Sequence, residues 1–173
     1  MITTKSGDGG ISHWPTSAKA TEGKNNQYRS IHKDDILIET IGSLDELQAV
    51  IGMTGVDLPE VEVDLWGIMG EISYGTKYER LDERIDLLES EIDRLEEDLP
   101  KINKFLIFKN QEAAKLNWIR TTVRKAERRI VALAKKESVN PKLLAYINRL
   151  SDYLFMLARL REEATAGKPD KKE

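Results

Sequence analysis

From residue 37 onward, apolar positions recur at steps of three and four, in five successive stretches. Leu37, Ile41, Leu44 and Ile51, with Gln48 in register, mark a first helix beginning near Lys33-Asp34-Asp35, where acidic groups suit the positive end of a helix dipole. Gly55 and Pro59 break it. Val61, Leu65, Ile68 and Ile72 mark a second helix ending around Tyr74-Gly75. Leu81, Ile85, Leu88, Ile92 and Leu95, with Glu, Asp and Arg between them, predict an amphipathic, coiled-coil-like third helix stopped by Pro100. Phe105-Leu106-Ile107-Phe108 reads as a buried connector or extended piece. A fourth helix is predicted from about Gln111 to Lys136 on the stripe Leu116, Ile119, Val123, Ala126, Ile130 and Leu133. Asn140-Pro141 reads as an N-cap with proline at the first helical position, opening a fifth helix that carries Leu143, Ile147, Leu150, Leu154 and Leu157. No segment alternates as a strand would. The expectation is an all-α five-helix bundle over residues 33–164, an irregular arm over 1–32 and a disordered tail over 165–173.

Composition narrows the class. At 173 residues the chain fits one domain, and 33% charged against 40% hydrophobic residues suits helices with one apolar and one charged side. No apolar run reaches the roughly eighteen residues of a membrane span, and the N-terminus carries no apolar signal segment, so no membrane partner is expected and the location is read as cytoplasmic. Cysteine is absent, which removes disulfides, thiolate metal sites and cysteine nucleophiles. A formal net charge of -3 argues against a nucleic-acid partner. His13 and His32 have no metal-ligand neighbour at helical spacing and read as surface residues. Trp66 and Trp118 read as core or interface, and Trp14 lies in the arm.

The polar faces say more than the stripes. At 100° per residue, Arg120, Arg124, Glu127 and Arg128 share about a third of a turn of the fourth helix, while Lys125 and Arg129 point elsewhere. On the fifth helix Asn148, Asp152, Phe155 and Arg159 share a face nearly opposite the leucines, and a phenylalanine there suggests a ligand or a second subunit. Such charges also form ordinary surface ion pairs. The alternative is an anion site, with Arg gripping phosphate oxygens, Glu fixing an Arg or reaching hydrated magnesium, and Asn completing the cage. In the arm, Lys5-Ser6-Gly7-Asp8-Gly9-Gly10 combines a cation, a hydroxyl and glycines whose N–H groups can wrap an anion, without the spacing of a nucleotide-hydrolase phosphate loop.

Several of these pieces together resemble one family, the PduO-type ATP:cob(I)alamin adenosyltransferases. Thr4-Lys5-Ser6-Gly7-Asp8-Gly9-Gly10-Ile11-Ser12 is similar to its N-terminal T-x-[TS]-G-D-x-G-x-T loop, His32-Lys33-Asp34-Asp35 to its S-K-D-D element, and residues 39–47 (ETIGSLDEL) to its E-x-x-G-x-x-D-E-L helix. Leu99-Pro100 and Phe105-Leu106-Ile107 are similar to the stretch before its P-G-G turn. Residues 120–129 (RTTVRKAERR) are close to its arginine-rich helix, and Asn140-Pro141 and residues 148–155 (NRLSDYLF) complete the set. The departures are Phe108-Lys109-Asn110 in place of P-G-G, Lys125 in place of an arginine, and a longer segment between Ser12 and Lys33.

The resemblance implies a homotrimer of five-helix bundles with ATP between subunits. It implies that Thr4, Lys5, Ser6, Gly7, Asp8, Gly10, Ser12 and Lys33 wrap the triphosphate. Arg124, Glu127, Arg128 and Asn148 would hold phosphates, Mg2+ (through Glu127) and nucleoside, and Asp45 and Arg120 would pair across the subunit boundary. Phe105 would cover the lower face of cobalamin, displacing its axial base to leave a four-coordinate Co(II) that is easier to reduce; the Co(I) formed by that reduction attacks C5′ of ATP and expels triphosphate. Because cobalt is the nucleophile, no side-chain nucleophile is needed, only in-line placement and charge stabilisation. A flavoprotein reductase and an adenosylcobalamin-dependent enzyme are the implied partners. The competing readings are a non-catalytic carrier of ATP or adenosylcobalamin, motivated by the changed 108–110 loop, and a structural bundle.

Overall fold

The computed structural model describes residues 5, 7–15, 28–103 and 105–166. Two short strands, β1 (Ile11–Pro15) and β2 (Tyr28–His32), precede five helices, α1 (Ile36–Thr54), α2 (Pro59–Tyr74), α3 (Leu81–Asp98), α4 (Gln111–Ala134) and α5 (Pro141–Ala166). The five-helix expectation stands. The arm departs from it: β1 and β2 pair antiparallel from Ile11↔His32 to Pro15↔Tyr28. The pattern hid this hairpin because only one side chain of β2, Ile31, is buried, so no alternation shows.

Helix ends follow local chemistry. Asp35 caps α1, its carboxylate accepting from the Leu37 N–H at 2.8 Å, so the helix begins at Ile36 rather than at Lys33. Gly55 and Gly75, at φ 65° and 69°, close α1 and α2 in the left-handed conformation that glycine adopts without a Cβ penalty. Asn140 and Pro141 open α5 as expected, the Asn140 side chain accepting from the Lys142 N–H. Helix α4 stops at Ala134, two residues short of the expected Lys136, and α5 runs to Ala166, past the expected boundary at 164. The rest of the expected tail lies outside the described residues.

Packing places α4 between α1 and α5. Its stripe from Leu116 to Leu133 is buried throughout, and Leu116, Ile119, Val123, Ala126 and Ile130 join Leu44, Leu47, Ile51, Val61, Leu65, Ile68, Ile147, Leu150 and Leu154 in one core. The paired residues show the directions: 46 with 125 and 39 with 129 make α1 and α4 antiparallel, 127 with 148 makes α4 and α5 antiparallel, and 82 with 142 and 89 with 149 make α3 and α5 parallel. Along α3 the fully covered leucines are Leu81, Leu88 and Leu95, one per heptad, with Ile85 and Ile92 half-buried.

For two groups of apolar residues one of the two readings is removed, the buried connector for 105–108 and the core for Trp66 and Trp118. Phe105 and Ile107 are exposed, so the segment before α4 is not a buried connector. Trp66 and Trp118 stand on outer faces, 69% and 48% exposed, so neither belongs to this chain's core.

One polar group sits at the centre of the bundle. The Asp64 carboxylate, fully buried on α2, accepts from Tyr78 Oη at 2.8 Å, from Arg84 Nε on α3 at 2.7 Å and from Tyr146 Oη on α5 at 2.7 Å. Every described buried side-chain nitrogen and oxygen has a partner, as a low-dielectric interior requires. Gly67 lets the Tyr78 ring lie across α2, since a Cβ there would fall 2.3 Å from the ring. Burial, first, and the bond to Asp64 push the Tyr78 hydroxyl up to about 12, and the same causes raise Tyr146 well above its ordinary value. Both phenols must stay protonated to donate. The contribution of Tyr78 is therefore complete below the unfolded value near 10 and is lost as pH rises through its folded value of about 12, and that of Tyr146 is lost in the same direction. Denaturant midpoints should fall across that window, and less steeply in Tyr78→Phe. Asp64→Ala, which strands the Arg84 charge, should cost about 3–5 kcal/mol by urea unfolding.

Candidate functional site

Rotation of α4 sorts its cations. Lys125 and Arg129 face α1, where Lys125 Nζ meets Glu46 at 2.5 Å and Arg129 meets Glu39 at 3.2 Å. Arg124 and Arg128 lie on the exposed side and have no carboxylate partner among the described residues. Glu127, half-buried between them, turns instead to α5, where Asn148 Nδ2 donates to its Oε1 at 3.2 Å. Two unneutralised guanidiniums thus flank a carboxylate held by an amide. An ordinary surface ion-pair lattice would have satisfied Arg124 and Arg128 as it satisfies their neighbours.

The hairpin carries the second part of the site. Lys5, at φ 58°, opens two tight turns in which the Asp8 N–H donates to the Lys5 carbonyl and the Gly10 N–H to the Gly7 carbonyl. Gly10 at φ 76° returns the chain into β1. β2 leads into Lys33, whose N–H donates to the Gly10 carbonyl at 2.9 Å and whose ammonium lies over Gly7, so close that a Cβ at Gly7 would fall 2.9 Å from Nζ. A lysine and a glycine-rich turn are thereby joined through the two strands. Gly7, Asp8, Gly10, Ser12 and Lys33 are brought together; Thr4 and Ser6 lie outside the described residues.

The hairpin is fastened to the same end of the bundle as Arg128. Trp14 Nε1 donates to the Ser73 carbonyl at 2.9 Å, Arg29 meets Glu137 at 3.2 Å, and Ile31 packs with Leu37 and Leu133. Trp14 and Arg29 carry no sequence signal for this role, because both contacts reach far along the chain.

The other half of α4 borders a separate cavity. About 710 Å³ in volume, it is lined by Ile102, Asn103, Phe105, Leu106, Phe108, Asn117, Arg120 and Phe155. The Arg120 guanidinium lies 5.7 Å from the centre of the Phe155 ring, and its Nε donates to Asn117 Oδ1 at 2.9 Å. Burial and, secondarily, neighbouring Arg124 lower its pKa, so this cation lacks the charge compensation that a carboxylate would give. Phe108 meets Phe155 edge-on at 6.1 Å. Asp45 is exposed on α1, and none of the contacts within one chain joins it to Arg120. Arg159 does not share the polar face of α5. It is 7% exposed and donates to the Pro100 carbonyl, tying the end of α3 to α5.

A helical bundle with unpaired cations and a glycine turn at one end and an open, aromatic-lined cavity toward the other has the arrangement suited to a polyanion and a large, partly apolar partner. The model of the cobalamin adenosyltransferase family matches residues 2–161, and the chain belongs to that family. It is similar to the corrinoid adenosyltransferase of Bacillus subtilis (strain 168), 33% identical over 145 residues that cover 74% of this chain and 75% of that protein. Similarity to a cobalamin adenosyltransferase of Cupriavidus metallidurans is 32% over 177 residues, covering 96% and 90%. Among solved structures, a variant PduO-type ATP:corrinoid adenosyltransferase from Lactobacillus reuteri complexed with cobalamin and ATP superposes with a TM-score of 0.79 at 25% identity, covering 96% of this chain and 93% of that one.

The contact between Gly7 and Lys33 yields a direct test. Gly7 lies outside the left-handed region, so Gly7→Ala brings no backbone strain and only displaces the flexible end of Lys33. The melting temperature of the free protein should be unchanged, while the Kd for inorganic triphosphate, read by calorimetry, should rise about tenfold.

Proposed function

We propose that this chain transfers the 5′-deoxyadenosyl group of ATP to the cobalt of cob(I)alamin, releasing triphosphate and forming adenosylcobalamin. The observation that carries the reading is the pair Arg124 and Arg128, left without carboxylates on a helix whose other two flanking cations are neutralised. An anion with several oxygens is the partner such a pair accommodates.

The reacting nucleophile is the substrate's cobalt, so the chain's own residues bind, orient and exclude water. Arg124, Arg128, Lys33 and the turn at Lys5–Gly10, with Thr4, Ser6 and Ser12, take the triphosphate and stabilise its growing charge as the C5′–O bond breaks. Glu127 is one carboxylate among cations, and no group of three or more acidic or histidine side chains is placed to hold a metal ion by itself among the described residues. That donor set fits Mg2+ held mainly by phosphate oxygens and water, with Glu127 beside it and Asn148 fixing the rotamer of Glu127. Phe105, fully exposed at the cavity, offers its ring to the lower face of the corrin.

Exposed Asp45 and carboxylate-free Arg120 suit a pair made between subunits of a homotrimer, which would complete each site with a residue from the next chain. No described helix is long and apolar enough to cross a membrane. A cytoplasmic setting, an electron donor such as a flavoprotein reductase and an adenosylcobalamin-dependent acceptor enzyme complete the reading.

The test is anaerobic mixing of the protein with chemically reduced cob(I)alamin, Mg2+ and ATP, followed in the visible spectrum. Loss of the Co(I) band with growth of a light-sensitive product is the expected result; bound ATP with unchanged Co(I) would instead indicate a carrier. In the same assay Arg124→Ala should lower kcat/KM by about a hundredfold or more. Lys125→Ala, which removes only an exposed pair with Glu46, should stay within about threefold. Equal losses in the two variants would sink the assignment of Arg124.

A further inference from the structure

The segment between α3 and α4 has no regular structure, yet it carries Phe105, Leu106 and Phe108 to the wall of the 710 Å³ cavity. Its last residues are held from α5. The Glu162 carboxylate accepts from the Lys109 N–H at 3.1 and 3.0 Å through its two oxygens, and from the Asn110 N–H at 2.9 Å.

Helix-end chemistry explains the geometry. Asn110 is the N-cap of α4, its side chain accepting from the Glu112 and Ala113 N–H groups at 2.8 and 3.0 Å. In a capping box a Glu or Gln three residues after the cap reaches back to the cap's own N–H. Here that position is Ala113, which has nothing to reach with. Glu162 supplies the missing acceptor from another helix, adds the preceding N–H of Lys109, and places its negative charge at the positive end of the α4 dipole. Phe108, the next residue upstream, is held edge-on against Phe155, whose ring also carries the Arg120 guanidinium. Clamp and ring contact together fix the downstream anchor of the segment that bears Phe105.

We infer that Glu162 is a positioning residue for the corrinoid half of the reaction: it sets the cavity wall through the 108–110 backbone and touches neither substrate. The inference rests on the proposed adenosyl transfer. Glu162 acts where α5 meets the start of α4, whereas Asn148, near the other end of α5, meets Glu127 on the anion side. Its loss should therefore separate the two substrates.

The experiment is steady-state adenosyl transfer by wild type, Glu162→Ala and Glu162→Gln, varying cob(I)alamin and ATP in turn, with melting temperatures measured alongside. Alanine removes charge-assisted bonds to two backbone N–H groups and should raise the KM for cob(I)alamin about tenfold, leaving the KM for ATP within about twofold. Glutamine keeps one carbonyl acceptor and should recover part of the loss. Unchanged KM for cob(I)alamin in Glu162→Ala, or parallel rises in both KM values, overturns the inference; the glutamine variant decides the matter if alanine prevents folding. Failure of the wild type to turn over would instead count against the adenosyl-transfer reading itself.

Discussion

The rotation of α4 about its own axis is the constraint on which the rest depends. Six apolar side chains from Leu116 to Leu133 are buried between α1 and α5, and a helix so held cannot turn without exposing some of them. At roughly 25 cal/mol per Å² of apolar area, turning it would cost about 1.5–3 kcal/mol for each large side chain brought out. Once the stripe is seated, the direction of every polar residue on α4 is settled. Lys125 and Arg129 meet the acids of α1, Glu127 meets Asn148, and Arg124 and Arg128 are left facing outward. The unpaired cations are thus a by-product of core packing: the arginines proposed to take a ligand are those for which the described residues provide no carboxylate.

A second polar arrangement has the opposite character. Asp64, Arg84, Tyr78 and Tyr146 are mutually satisfied, and their bonds span α2, α3, α5 and the connection after α2. A buried ionic group is weak evidence for stability, because apolar replacements often do as well. What it supplies here is a register: three donors from three segments reach one carboxylate only in one arrangement. The satisfied groups fix how the segments meet, whereas the unpaired arginines of α4 are left for the proposed ligand.

The two halves of the site are attached in different ways. On the anion side, a two-stranded hairpin delivers the glycine turn and Lys33, and it is fastened by Trp14, Arg29 and Ile31. On the apolar side, an irregular segment delivers Phe105 and is fastened by Glu162 and the Phe108–Phe155 contact. In both, backbone outside the helices is given its position by a few long-range bonds, so that binding need not supply the whole cost of ordering it.

The sequence by itself determined the five helices, because each apolar stripe has one period and one possible buried face, and caps such as Asn140 and glycines such as Gly55 and Gly75 act within a few residues. It also determined which α4 cations share a side, since that follows from 100° per residue. Asn110, which caps α4 in the structure, reads in the sequence only as part of an altered loop. Other features were not legible. The hairpin buries only Ile31 of β2, and the exposure of Phe105, Trp66 and Trp118 contradicts their apolar character. Asp64 has its donors 14, 20 and 82 residues away, and the bonds from Glu162 to Asn110 and from Trp14 to Ser73 span 52 and 59. Periodicity and capping are local and survive in a list of residues, whereas the partner of a buried charge or a loop is chosen by which distant segments the packed bundle brings within three ångströms.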